Sequence, residues 1–278
     1  MPELPEVEHG RRQWTAWGVG RRVAVVDVVD ATAFVGDLSE RVHKGKSTAA
    51  KARKVRGQRL VEARRRGKRL GLLFEDHGWL VHFGMTGYFE RGTEAPAHAR
   101  WGVSFEGAAP VWFVDPRRFG CVLPLPAADL ETALADGLGP DMLLDAPTGP
   151  DLAARSQGRR AIKVALMDQA VVAGIGNMHA AEALWRAHIS PRRPASGLRP
   201  SEWEALAIAL RDQVSEAVPD DLEPMTYVSA GGPNPFSVYD RDGEPCPRCG
   251  TLLVGIRLGG RSTVYCPHCQ RDGDVGDG

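Results

Sequence analysis

Between residues 21 and 116 the apolar positions come in short runs separated by turn residues. RRVAVVDVVD (21–30), QRLVEARRR (58–66), RLGLLFE (69–75), WLVHFGM (79–85), WGVSFEG (101–107) and VWFVDP (111–116) are rich in β-branched and aromatic residues. Such runs predict strands, broken at turns such as 76–78, and their spacing predicts an antiparallel sandwich or barrel. Residues 5–18 break the pattern. There Val7, Trp14 and Trp17 share one helical face, Pro5 suits a first turn, and Glu6 and Glu8 suit its positive end. A buried amino-terminal helix is expected ahead of the sheet.

After residue 125 the punctuation changes. Residues 126–150 mix prolines, glycines and acids with one short helical pattern and read as a linker. The period then becomes helical over 161–170 and 177–187, and again after Pro200, where Ser201 and Glu204 offer a capping box. The expected organisation is a β domain (1–125), the linker, a helical domain (151–235), a cysteine-rich hairpin (236–270) and an acidic tail (271–278). The expected class is α+β, in several domains.

Composition changes this picture little. The chain has 278 residues, 43% hydrophobic and 25% charged, as in ordinary globular proteins. No apolar run approaches the roughly 18 residues of a membrane span, and the acidic start lacks the cationic region of a secretory signal. A cytoplasmic protein with no membrane partner is expected. Charge changes the picture more. The formal net charge is zero, yet residues 41–69 hold thirteen Lys and Arg against Glu62 alone. Acids gather instead at 216–223 and in the tail. The basic stretch reads either as a solvated loop or as a face for a polyanion.

The most specific chemical signal is CPRCGTLLVGIRLGGRSTVYCPHC. Cys246, Cys249, Cys266 and Cys269 form two C-x2-C pairs that can present four thiolates tetrahedrally to one ion. A strand, a turn at Gly259 and Gly260, and a second strand lie between them. Zinc saturated by four sulfurs leaves no open position, so one structural Zn2+ is expected; iron and unmetallated thiols are the alternatives. Cys121 is left over, as a buried strand residue. A second signal is Gly174-Ile175-Gly176 before a helix starting at Asn177. It reads either as a plain helical hairpin or as a turn whose exposed amides hold a phosphate.

Six ordered blocks, PELPEVE (2–8), RRGK (65–68), HFGMTG (82–87), DPRRFG (115–120), GIGN (174–177) and GRSTVYCPHCQ (260–270), resemble the motifs of the formamidopyrimidine-DNA glycosylase and endonuclease VIII family. The resemblance spans residues 2–270 and is closest to the formamidopyrimidine-DNA glycosylase branch. It implies an antiparallel β-sandwich with an amino-terminal helix, a helix-two-turns-helix domain and a zinc finger hairpin. It also implies a monomeric, bacterial-type, nucleoid-associated enzyme that excises an oxidised base from damaged double-stranded DNA and then nicks the backbone.

By resemblance Pro2, exposed by loss of Met1, is the Schiff-base nucleophile, Glu3 the proton donor and Glu6 a residue that orients the site. Lys68 and Arg261 correspond to the proton donors for β- and δ-elimination. Met85, Arg117 and Phe119 match the residues that fill the gap left by the extruded base. His82, His98, Lys163 and Asn177 match further DNA contacts, Lys163 being linked to the oxidised purine. The chain departs from the family pattern at His179 and Arg69, where tyrosine is usual, and in the short glycine-rich stretch 225–236. Oxidised purines are the expected substrates. An enzyme for oxidised pyrimidines and a noncatalytic zinc-ribbon DNA-binding protein are the alternatives.

Overall fold

The computed structural model of the protein describes residues 2–37, 45–156, 158–223, 225 and 234–272. Parts of three segments singled out from the sequence lie outside the described residues: 41–44 of the basic stretch, 226–233 of the glycine-rich stretch and 273–278 of the tail. The chain divides into two compact units, Met1–Asp136 with Val218–Gly232, and Gly137–Ala217 with Pro233–Gly278.

The first unit opens with α1 (Leu4–Trp17), whose Leu4, Val7 and Trp14 are fully buried. It continues through β1 (Val23–Val28), α2 (Gly45–Ala52), β2 (Leu60–Arg66), β3 (Arg69–Phe74), β4 (His77–His82), β5 (Tyr88–Arg91), β6 (Ala99–Phe105), β7 (Val111–Val114), β8 (Cys121–Pro126) and α3 (Leu130–Ala135). Two four-stranded antiparallel sheets result, in the orders β1-β6-β7-β5 and β2-β3-β4-β8. One apolar core joins them. Trp79 from one sheet meets Trp101 from the other edge to face at 5.4 Å, and Trp14 of α1 packs on Phe89, Trp101 and Phe105. Edge-to-face aromatic pairs of this kind each add about 0.5–1.5 kcal/mol beyond area burial.

Two strands escape the sequence pattern. β5 has four residues and an exposed end, too few to show a period. β8 carries Pro124 opposite Trp79, which an edge strand tolerates because its outer N–H groups need no partner. The turn expected at 76–78 also sits earlier: Gly78 lies within β4, where its missing side chain makes room for Leu130 of α3.

The second unit contains α4 (Gly149–Arg155), α5 (Ile162–Leu166), α6 (Asn177–Arg186), α7 (Pro200–Glu216) and the hairpin of β9 (Val254–Leu258) and β10 (Arg261–Tyr265). The helix expected over 161–170 stops at Leu166, and from Asp168 the chain turns into the glycine segment. The capping box of α7 also lies two residues before its expected place. Arg199 is the N-cap, and Glu202 accepts the Arg199 N–H at 2.8 Å, while Glu204 instead accepts from Gly149 N. Hydrogen bonds from the Arg193 side chain, with others from Arg199, hold Glu202 at about 2, so this cap stays charged through the neutral range.

Candidate active site and zinc centre

In the first unit the catalytic residues expected from the sequence lie at and just before the amino terminus of α1. Pro2 and Glu3 are buried, with Glu3 as N-cap, and Glu6 accepts the Glu3 backbone N–H at 2.7 Å. Glu6 thereby fixes the backbone that carries Glu3. Two residues further on, Glu8 binds Arg65 at 3.0 Å and Arg11 at 2.8 Å. Arg65 also donates to Gly67 O at 3.3 Å, in the two-residue turn holding Lys68. One buried ion pair thus ties the head of α1 to the β2–β3 turn. Burial pushes Glu8 up, but hydrogen bonds and charges from Arg11 and Arg65 outweigh it, and the carboxyl lies below its usual range. The sequence offered RRGK as a motif but gave no sign that its first arginine faces inward.

The three gap-filling candidates come from two adjoining loops. Asp115, fully buried, accepts from Thr86 Oγ1 and from Gly120 N, both at 2.6 Å, and Arg117 N donates to Thr86 Oγ1. Gly84 has φ +68° and packs against Gly120, where a Cβ would lie 2.4 Å from the amide nitrogen. Phe119 is 40% exposed with the Arg117 guanidinium 5.2 Å from its ring centroid, and Met85 is half-buried. An exposed phenylalanine under a cation is not core packing. Half-buried His82 accepts from Gly84 N through Nδ1 at 3.0 Å. Exposed His98, with φ 65°, borders a 280 Å³ hollow with Asp30, Arg100, Asp115 and Arg118.

In the second unit Gln169 holds the glycine turn, donating to Ile175 O at 2.7 Å and accepting from Gly174 N at 3.0 Å. Asn177 then begins α6, nearly buried, at its positive end. Lys163, expected beside DNA, is fully buried, and Nζ donates to Asn177 Oδ1, Thr263 Oγ1 and Ser262 O at 2.7, 2.7 and 3.1 Å. Arg261 is exposed at the start of β10, after Gly259 and Gly260 at φ 54° and 76°. Two consecutive positive φ values make the type I′ turn that matches strand twist. Sequence reasoning missed Arg65, Asp115, Gln169 and Thr263, because no local period marks a side chain that bonds across loops.

The sulfurs of Cys246, Cys249, Cys266 and Cys269 all lie within 4.8 Å of one another, with Cys249 and Cys266 at 3.5 Å. Tetrahedral zinc with Zn–S near 2.3 Å needs sulfurs about 3.8 Å apart, so the set fits. Burial, then the Cys249 and Cys266 sulfurs, push Cys269 up to about 12. Four crowded thiolates need a cation, and one structural Zn2+ supplies it. Glu182 of α6 accepts the N–H groups of Ser237, Val238 and Tyr239, all within 2.9 Å, and fixes the approach to this centre.

Comparison with known proteins agrees along the whole chain. Family models match residues 1–122 (formamidopyrimidine-DNA glycosylase N-terminal domain), 138–227 (formamidopyrimidine-DNA glycosylase H2TH domain) and 243–271 (zinc finger found in FPG and IleRS). Formamidopyrimidine-DNA glycosylases of Stenotrophomonas maltophilia and Geobacter metallireducens are 39% and 40% identical, over 98% and 97% of this chain and 100% of each relative. The MutM (Fpg) structure from Thermus thermophilus has 35% identity and a TM-score of 0.79, over 98% of this chain and 100% of that one. Lactococcus lactis Fpg bound to Fapy-dG DNA has 27% identity and a TM-score of 0.81, and the same protein bound to oxidised-pyrimidine DNA has 25% and 0.79, each over 97% of this chain and 100% of that chain. The two-sheet unit, the helix-two-turns-helix unit and the four-cysteine hairpin are thus those of the formamidopyrimidine-DNA glycosylase family, to which this chain belongs.

Proposed function

We propose that the protein is a base-excision repair glycosylase and abasic-site lyase that removes oxidised purines, 8-oxoguanine and formamidopyrimidines among them, from double-stranded DNA. The observation that carries the reading is Pro2-Glu3 at the buried head of α1, with Glu6 bonded to the Glu3 amide. An α-amino group titrates at about 7.7–8.0, so an appreciable fraction of Pro2 is a neutral nucleophile near pH 7 once Met1 is removed. Its nitrogen attacks sugar C1′ as the protonated base departs; the amine then loses its proton and expels O4′, which takes a proton through Glu3, so the sugar ring opens and an iminium remains. A secondary amine yields an iminium that cannot shed its charge by losing a nitrogen proton, so it stays an electron sink. Loss of the C2′ proton then expels the 3′ phosphate, and a second elimination expels the 5′ phosphate. Lys68 and Arg261 serve as the proton donors for these steps.

A base stacked in a duplex must first leave the stack. Met85, Arg117 and Phe119 supply an apolar wedge, a cation for the orphaned base and a stacking plane, His82 and Asn177 grip phosphates, and His98 is a further DNA contact. Such an enzyme works in the bacterial cytoplasm, associated with the nucleoid through DNA. Oxidised pyrimidines are the second reading, favoured by the relative bound to oxidised-pyrimidine DNA.

Borohydride trapping tests both. With 8-oxoguanine, formamidopyrimidine and oxidised-pyrimidine duplexes, a covalent complex through Pro2 is expected, most strongly with the purine lesions. A blocked amino terminus should abolish it, and Glu3→Gln should lose base excision far more than cleavage at a preformed abasic site. Full trapping by a blocked terminus would move the nucleophile to a lysine.

A further inference from the structure

The proposed lyase chemistry leaves one buried ion unexplained. Lys163 is 0% exposed, yet it holds an ammonium whose three N–H donors meet three oxygens. Two of these belong to the β10 segment directly after Arg261, and the third belongs to Asn177 at the start of α6. The tip of the hairpin closes over the same place, since a Cβ on Gly259 would lie 3.1 Å from Val164.

The bond to Asn177 has a directional consequence. An ammonium only donates, so it selects the oxygen of the Asn177 amide and turns the NH2 group away from itself. Without Lys163 nothing in this bond would distinguish the two ends of the amide. An outward NH2 at the positive end of a helix is a donor suited to an anionic oxygen, whereas an outward C=O would repel one.

We propose that Lys163 is a positioning residue: it touches neither base nor phosphate, but sets Asn177 amide-outward toward a DNA phosphate and pins the turn that carries Arg261. This inference rests on the proposed lyase activity and deepens it. It predicts a defect blind to lesion type, because the phosphate grip and the second elimination are common to every substrate.

The test uses the zinc-loaded full chain with Lys163→Met and Asn177→Ala, singly and together. A tetrahydrofuran duplex measures the grip, and a natural abasic duplex measures the ratio of single to double elimination. Lys163→Met should keep its zinc, bind tetrahydrofuran DNA about tenfold more weakly, as loss of a charge-assisted hydrogen bond implies, and shift products toward β-elimination alone. The double variant should bind more tightly than the product of the two single losses predicts, because the part of the Lys163 effect that runs through Asn177 is already gone. Normal tetrahydrofuran binding with loss confined to one oxidised purine would overturn the proposal, as would losses that multiply in the double variant. If Lys163→Met does not fold, Thr263→Val, which removes one acceptor on the hairpin side, should shift the product ratio the same way, and an unchanged ratio would overturn it. A wild-type chain that leaves the abasic duplex uncut would instead sink the lyase reading.

Discussion

At Glu8 three arginines converge, with Arg11, Arg65 and Arg12 at 2.8, 3.0 and 3.3 Å. The folded carboxyl titrates below its ordinary 4.5. A depressed carboxyl contributes stability that is fully present above the unfolded value and is lost as pH falls through the folded one. Removing one member of a buried pair typically costs about 3–5 kcal/mol, and the partial exposure of Arg11 and Arg12 places Glu8→Gln near the lower end. Urea unfolding at pH 7 should show this loss, and the gap to wild type should close as pH falls below 4.5. A gap that persists in acid would assign the effect to packing. Because Arg65 also braces the Lys68 turn, the variant should slow cleavage at abasic sites even where it remains folded.

The residues proposed to fill the duplex gap sit on a pair of loops braced by Asp115, not on a helix or strand. Met85→Ala should slow base excision from an intact duplex while sparing cleavage at a preformed abasic site, where no base has to be extruded; equal losses on both would make Met85 core packing. Gly84→Ala should mimic it more severely, because a non-glycine at φ +68° is strained and the new Cβ collides with the Gly120 backbone. The hairpin depends on its ion in the same way. Chelation or Cys249→Ala should weaken binding to lesion DNA by loosening the turn that carries Arg261, as metal binding is coupled to folding in such sites. Metal analysis should return one zinc per chain, and zinc-free protein that binds DNA fully would contradict this.

For the whole molecule, zero net charge hides a directional distribution. Lys46, Lys51, Arg53, Lys54, Arg56 and Arg59 are all exposed, on α2 and the segment leading into β2. Each phosphate neutralised adds about 0.9 to the slope of log affinity against log salt, so phosphate contact is countable. Replacing Lys46, Lys51 and Lys54 with glutamine should lower that slope on undamaged duplex if this face meets the backbone. An unchanged slope returns the stretch to a solvated surface. Among the described residues no helix is long and apolar enough to cross a membrane.

Sequence alone determined what depends on local chemistry. The strand runs, the amino-terminal helix, the Gly259-Gly260 turn and the four cysteines are each legible because period, backbone freedom or ligand spacing is written in adjacent residues. The same holds for the motif blocks that mark the family. Tertiary structure decided what depends on distance along the chain: that Arg65 faces Glu8 across 57 residues, that Asp115 clamps the Met85 loop from 29 residues away, and that Lys163 meets Thr263 across 100. A buried charge has no signature in its own neighbourhood. Its partners are chosen by how the elements pack, so the burial of Lys163, expected as a DNA contact, against Asn177, Ser262 and Thr263 is visible only once α5, α6 and β10 are brought together.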